Sequence, residues 1–147
     1  MTKSILFLCT GNSARSIMAE AYMNKAGAGT WRAYSAGSKP TGRPNPFALQ
    51  TLADHAIAAT DARSKSWDEF ARAGAPAIDV VVTVCDNAAG ETCPAFFAPG
   101  GAQPARLHWS FPDPAAATGS DSEKRAAFES VFADIRARID DFLAEGC

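Results

Sequence analysis

The chain has no long hydrophobic run, no excess of one charge and no internal repeat. The apolar run near its N-terminus, residues 5–8, is too short for a signal peptide or a membrane span. Fourteen basic and sixteen acidic residues leave a net charge of −2, which gives no indication of a nucleic-acid or membrane partner. We therefore expect a monomeric cytoplasmic protein that binds neither nucleic acid nor a membrane.

Cysteine is also scarce, with four residues in a chain of 147. Without an export signal, these thiols are better interpreted as reduced, redox-active or metal-binding than as a disulfide framework. The spacing of Cys85 and Cys93 is unusual for zinc, and His55 and His108 complete no ligand pattern with them. We expect one domain over residues 1–147, with no bound metal or cofactor.

What the sequence does contain is a polar loop, residues 9–16, between a short apolar strand and a helical pattern. There the backbone N–H groups and the positive end of the helix surround one point, which is a site for an oxyanion. The same field stabilises a thiolate, so we expect Cys9 to have a lowered pKa and to act as a nucleophile. Arg15 offers a planar fork for two oxygens of the anion, and Ser16 offers a hydrogen bond to the thiolate. The residues expected to bind the oxyanion are Thr10, Gly11, Asn12, Ser13, Ala14 and Arg15.

Other interpretations of this loop are weaker. It lacks the Gly-Lys-Ser/Thr ending of a nucleotide-binding loop, and its single glycine does not match the dinucleotide-binding fingerprint. A purely structural interpretation makes Cys9 a buried strand end and Arg15 a surface residue of the helix. The polar residues 10–13 are unusual for plain packing between a strand and a helix, so we favour the anion site.

Hydrophobic periodicity predicts four strands, at residues 5–8, 30–36, 78–84 and 106–110. Helices are predicted after the loop up to Gly27, from Pro46 with Asn45 as N-cap, from Ser66 to about Arg72, and after Ser120. The predicted buried stripe of the second helix is Leu49, Leu52, Ala53 and Ala56. This alternation predicts an α/β fold, a doubly wound four-stranded parallel sheet with helices on both faces.

In such sheets ligands bind beyond the carboxyl ends of the strands, and Cys9, Cys85 and Asp113 all follow predicted strand ends. Asp113 is the candidate general acid, because an oxygen leaves a tetrahedral oxyanion more easily once it is protonated. The alternative is that Asp113 only occupies a turn between two prolines.

The segment 86–103 shows no helical period, and a loop of this length is usually functional.

The pattern Cys-x5-Arg-Ser from Cys9 to Ser16, with Asp113 and a proline far downstream, resembles the low-molecular-weight tyrosine phosphatase fold over nearly the whole chain. Within that fold the chain is most similar to the thioredoxin-coupled arsenate reductases. The resemblance implies reduction of arsenate to arsenite in arsenic detoxification, with phosphate or sulfate as competing oxyanions. It also implies a disulfide relay from Cys9 through Cys85 and Cys93, and thioredoxin or another external thiol as reductant.

Reducing arsenate takes two electrons and therefore two thiols, whereas hydrolysing a phosphate ester takes one thiol and a water. Cys85 ends a predicted strand and Cys93 lies in the polar loop that follows, which makes a relay possible. Alternatively, Cys85 is a small buried hydrophobic residue with no part in a relay. Cys147, at the last position, fits no pattern.

Two other functions stay open at the level of sequence. A tyrosine phosphatase of this fold resembles the chain through Cys9, Arg15 and Asp113, but such enzymes usually carry aromatic residues beside the loop and after Asp-Pro. Here the loop is followed by isoleucine and methionine, and residues 115–117 are alanines, so a small inorganic substrate fits better. A non-catalytic oxyanion-binding or redox-sensing module would not need Asp113.

The resemblance also bears on what supports the loop. Reductases of this family often hold a potassium ion there, and Asn12, Glu20 and Ser35 match three of its ligands. The fourth ligand is normally an aspartate, where this chain has Lys65. We expect the Lys65 ammonium to replace the cation.

Overall fold

The structure, a computed structural model, describes residues 2–57, 59, 62–71, 74–84 and 104–145. The strands are β1 (Lys3–Leu8), β2 (Trp31–Ala36), β3 (Val80–Thr83) and β4 (Ala105–His108). The α-helices are α1 (Arg15–Ala26), α2 (Pro46–Asp54) and α3 (Asp121–Ala144), and two short 3-10 helices cover Trp67–Phe70 and Pro114–Ala116. The strands form one sheet in the order β2-β1-β3-β4, and every pair is parallel, which confirms the predicted sheet. No helix among these residues is long and apolar enough to cross a membrane.

Strand β1 is central, and its side chains alternate between two buried faces. Ile5 and Phe7 join the larger hydrophobic cluster, to which all three α-helices contribute. Leu6 and Leu8 lie in the smaller cluster on the other face, together with Phe70 of the first 3-10 helix. Burial on both faces explains why this strand is a continuous apolar run rather than an alternating pattern.

Helix α3 begins where its cap predicts, with Ser120 Oγ accepting a hydrogen bond from the Glu123 N–H at 3.2 Å. Its apolar face is buried in the larger cluster. The buried members of that face are Phe128, Val131, Phe132, Ile135, Ile139 and Phe142. A helix that is polar on its outer side and apolar on this one closes the core over α1 and α2.

The predicted stripe of α2 is partly wrong. Asn45 caps the helix as predicted, its Oδ1 accepting from the Phe47 N–H at 2.8 Å, but the buried residues are Ala48, Thr51 and Leu52. The reason is that α2 packs between α1 and α3, which turns its buried side away from the predicted stripe. The helix also ends at Asp54, so the last predicted member of the stripe lies beyond it.

The helix predicted after Ser66 is a single 3-10 turn. Ser66 Oγ accepts from the Asp68 N–H at 3.1 Å instead of from the residue after it, as a capping box would require. The Arg63 guanidinium binds both carboxylate oxygens of Glu69, at 3.0 and 2.5 Å. The predicted end of this helix at Arg72 lies outside the described residues.

Strand β4 is shorter than predicted and all four of its residues are exposed. It pairs with β3 alone, because it is the last strand in the order. His108, on this strand, is exposed, and its Nδ1 lies 2.7 Å from Thr83 Oγ1. β2, the strand at the other edge of the sheet, is mostly buried, so exposure of β4 reflects what packs on its faces and not its edge position alone.

Gly37, directly after β2, holds the segment 64–67 against the loop that follows β1. Its N–H donates to the Lys65 carbonyl at 3.0 Å, and its own carbonyl accepts from the Trp67 N–H at 2.9 Å. A Cβ at this position would collide with the carbonyl oxygens of Cys9 and Thr10. Glycine is therefore required here by close backbone approach.

We predict that Gly37→Ala lowers the free energy of unfolding by about 1–3 kcal/mol, the usual cost of forcing a methyl group into filled space. Urea denaturation measures the change. Gly11→Ala is the matched control, because a Cβ there would make only an ordinary contact, 3.4 Å from Thr41 Cγ2. Equal losses in the two variants would contradict the requirement at residue 37.

Candidate active site

The loop between β1 and α1 has its carbonyl groups turned outward. The carbonyls of Thr10, Gly11 and Ser13 each accept a hydrogen bond from the segment 39–45. The three donors are the backbone N–H groups of Lys39, Thr41 and Asn45, at 2.9, 3.0 and 2.7 Å. In a trans peptide the N–H points opposite to the preceding carbonyl. The N–H groups of residues 11, 12 and 14 are therefore turned to the inside of the loop.

The N-terminus of α1 closes the same loop. Its N-cap, Ala14, has no side chain that can cap, and its first turn contains no acidic residue. The positive end of the helix dipole is thus uncompensated by a side chain from the helix itself. Cys9 lies at the base of the loop, is 5% exposed, and donates its N–H to the Ala36 carbonyl at 3.2 Å.

Asn12 fixes the middle of the loop. It is fully buried and has a φ of 45°, a left-handed conformation that asparagine tolerates better than most residues. Its Oδ1 accepts from the Lys65 N–H at 2.9 Å, and its Nδ2 donates to Ser16 Oγ at 2.8 Å. Because Ser16 accepts this bond, its own hydroxyl proton is left to donate.

Arg15 joins the loop to the segment after β4. Its Nη1 donates to the Phe111 carbonyl at 2.9 Å, and its Nη2 lies 3.9 Å from Asp113 Oδ2. The two side chains are 15% and 48% exposed, so this long ion pair contributes little stability. The other carboxylate oxygen, Oδ1, accepts from the Ala115 N–H at 3.0 Å and caps the 3-10 helix. Asp113 thus occupies a turn and faces Arg15 at the same time.

The four residues expected to support the loop lie together beneath it. Ser35 Oγ donates to Glu20 Oε1 at 2.7 Å, and Lys65 Nζ lies 4.0 Å from the same oxygen. Lys65 is only 7% exposed, and its Nζ also donates to the Arg63 carbonyl at 3.1 Å. Burial raises the pKa of Glu20 against the opposing effect of the Lys65 ammonium and the Ser35 hydroxyl. Burial lowers the pKa of Lys65, which Glu20 opposes.

This set does not fit a potassium ion. The Lys65 ammonium already lies beside Glu20, the one carboxylate of the set, and a second cation there would be repelled by it. Among the described residues, no three His, Cys, Asp or Glu side chains are grouped closely enough to hold a metal ion.

The structure therefore brings together the loop, Arg15, Ser16 and Asp113. Three cysteines named in the sequence analysis, Cys85, Cys93 and Cys147, lie outside the described residues. Sequence reasoning missed Gly37, Ser64 and the backbone donors at residues 39–45, all of which contact the loop. In the sequence, only the many glycines and prolines of the segment after β2 indicate that its backbone turns tightly against another part of the chain.

Known proteins resemble this chain over nearly its whole length. It is 41% identical over 144 residues to an arsenate reductase of Halalkalibacterium halodurans, covering 98% of this chain and 97% of that one. An arsenate reductase of Bacillus subtilis is 38% identical over 144 residues, covering 98% of this chain and 97% of that one. The solved arsenate reductase of Archaeoglobus fulgidus superposes with a TM-score of 0.74 at 27% identity, covering 95% of this chain and 98% of that chain. The family model described as low molecular weight phosphotyrosine protein phosphatase matches residues 4–145, and the chain belongs to that family.

Proposed function

We propose that this protein reduces arsenate to arsenite as a step in arsenic detoxification. The observation that carries the proposal is the 41% and 38% identity, over 98% of the chain, to proteins named arsenate reductase. The surroundings of Asp113 support a small inorganic substrate. Ala115 and Ala116, which follow it on the 3-10 helix, are exposed and have no ring to flank a phenol.

The first step uses the loop as a cradle for the oxyanion. Inward N–H groups and the N-terminus of α1 bind the arsenate oxygens, and Arg15 keeps N–H donors for the anion beyond the one given to Phe111. The Cys9 thiolate attacks arsenic, so an S–As bond forms and an As–O bond breaks. Asp113 protonates the leaving oxygen from Oδ2, while Oδ1 stays bonded to the Ala115 N–H. The Ser16 hydroxyl donates a hydrogen bond to the Cys9 sulfur and so stabilises it as a thiolate.

The second step transfers the electrons. The Cys85 thiolate attacks the Cys9 sulfur, a disulfide forms, and the S–As electron pair leaves with arsenic, which is thereby reduced and released as arsenite. Cys93 then attacks the Cys9–Cys85 disulfide and leaves a Cys85–Cys93 disulfide. An external dithiol, for which we propose thioredoxin, reduces that bond in the cytoplasm, where thiols are kept reduced. The requirement for two electrons per arsenate supports this relay.

Hydrolysis of phosphate monoesters is the second candidate. The family model carries a phosphatase description, and Cys9, Arg15 and Asp113 serve either reaction up to the first adduct. The reactions diverge afterwards, since water releases phosphate where a second thiol releases arsenite. Both depend on the same cradle.

In supporting this cradle, the Lys65 ammonium takes the place of a bound metal cation. Its ammonium lies beside Glu20, and its backbone N–H holds the Asn12 side chain, so one residue reaches both the buried carboxylate and the loop. The cost of burying two charges is offset by their attraction and by the Ser35 and Arg63 hydrogen bonds. A cation built into the chain makes an external one unnecessary.

Cys85→Ser separates the two candidate reactions. The cradle and Asp113 remain in this variant, so slow phosphate-ester hydrolysis survives while multiple-turnover arsenate reduction stops. Cys9→Ser loses both activities, and Cys147→Ser loses neither. Parallel assays of arsenate reduction with thioredoxin and of phosphate-ester hydrolysis measure this. A parent protein that hydrolyses the ester but leaves arsenate unchanged would be a phosphatase.

The relay has its own readout in the same proteins. Mass spectrometry of thiols trapped after one equivalent of arsenate shows a Cys85–Cys93 disulfide in the parent. A Cys9–Cys147 disulfide, or no disulfide between Cys85 and Cys93, would refute the relay.

Asp113→Asn lowers turnover by about two to four orders of magnitude, because the proton donor is lost. The asparagine side-chain oxygen can still accept from the Ala115 N–H, so the turn and the affinity for inorganic phosphate are retained. Kinetics across pH and phosphate binding measure the two effects. Full activity of the variant at every pH would mean that the proton comes from elsewhere.

Turnover of the parent is the same in potassium and sodium at fixed ionic strength, because Lys65 supplies the cation. Lys65→Asp exchanges the ammonium for a second carboxylate beside Glu20, so its activity and melting temperature rise with potassium and less with sodium. Lys25→Asp, an equal change of charge on an exposed residue of α1, is the control. A potassium requirement in the parent would contradict the assignment.

A further inference from the structure

Ser64 connects the anion loop to the two segments that surround it. Its hydroxyl donates to the Gly11 carbonyl at 3.0 Å and accepts from the Gly42 N–H at 3.2 Å. The Gly11 carbonyl also accepts from the Thr41 N–H at 3.0 Å. One carbonyl of the loop is therefore held by two donors from two different segments.

The peptide that carries this carbonyl also carries the Asn12 N–H, which points to the opposite side. Glycine before the peptide bond allows it to rotate more freely than any other residue would. Asn12 after it has a φ of 45°, in a sparsely populated region. The orientation of this peptide is therefore set by the bonds to the Gly11 carbonyl from outside the loop, together with the bonds of the Asn12 side chain to Ser16 and Lys65.

We propose that Ser64 is a positioning residue for oxyanion binding, because its hydroxyl holds the Gly11 carbonyl outward and so holds the Asn12 N–H toward the anion. The proposal rests on the use of the loop as an oxyanion cradle. Ser64 touches no reacting atom. It acts through the Gly11–Asn12 peptide.

The backbone that carries Ser64 is itself fixed on both sides. On one side, the Arg63 carbonyl accepts from Lys65 Nζ at 3.1 Å. On the other side, the Lys65 N–H donates to Asn12 Oδ1 at 2.9 Å, and the Lys65 carbonyl accepts from the Gly37 N–H at 3.0 Å. Ser64 is thus presented to the loop by a backbone with contacts at each neighbouring residue, which suits a positioning role.

Ser66 provides a matched control within the same segment. Its Oγ also accepts from a backbone N–H, that of Asp68 at 3.1 Å, where it caps the 3-10 helix. Removing either hydroxyl removes side-chain hydrogen bonding from the segment 63–70. Of these two hydroxyls, it is that of Ser64 that bonds to a carbonyl of the anion loop.

The experiment measures binding of inorganic phosphate to the full chain by calorimetry. In Ser64→Ala the Kd rises about five- to tenfold, the loss expected for one hydrogen bond of about 1 kcal/mol. Ser64→Thr, which keeps the hydroxyl, restores the affinity, and Ser66→Ala leaves it at the parent value. In arsenate reduction by Ser64→Ala, KM rises by a similar factor while kcat changes less, because Cys9 and Asp113 are untouched.

Three results would overturn the proposal: an unchanged phosphate Kd in Ser64→Ala, an equal weakening in Ser66→Ala, or no recovery in Ser64→Thr. Melting temperatures of all variants show whether a loss of affinity follows a general loss of stability. Phosphate binding requires neither reductant nor turnover. An inactive parent with a Ser64-dependent Kd would therefore refute arsenate reduction and leave the positioning role intact.

Discussion

The orientation of the peptide planes in the loop between β1 and α1 is the constraint on which the rest of the site depends. A backbone binds an anion only when several N–H groups point to one place, and this requires their partner carbonyls to be satisfied elsewhere. Here the segment 39–45 satisfies three of them. The sheet brings β1 and β2 side by side, so that this segment begins next to the loop it must hold.

Charge beneath the loop is the second constraint. A buried carboxylate such as Glu20 is costly without a partner, and the Lys65 ammonium and the Ser35 hydroxyl together satisfy it. The same two charges shift each other's pKa in the direction opposite to burial, although burial has the larger effect on the pKa of both groups. The loop is thus supported from below by side chains and from the side by backbone groups.

Features encoded by local patterns were predictable from the sequence. The four parallel strands follow from the alternation of strand and helix patterns along the chain, and the caps at Asn45 and Ser120 follow from residue type. Predictions that needed tertiary packing were less accurate, as for the buried side of α2 and the exposed edge strand β4. Cys9, Arg15 and Asp113 were recognisable because side-chain chemistry leaves a motif. Gly37 and the carbonyl acceptors were not, because close approach and backbone bonding leave almost no trace in residue identity.

The position of β1 in the chain has a consequence for synthesis. Of the four strands it is synthesised first, yet in the sheet it lies between β2 and β3 and is covered by α3, which follows all of them in the sequence. The face of β1 that joins the larger hydrophobic cluster is therefore not fully covered on the nascent chain until α3 has been synthesised. Contacts this distant in sequence also make for slow folding after release. Until then the uncovered apolar surface of β1 is of the kind that chaperones bind.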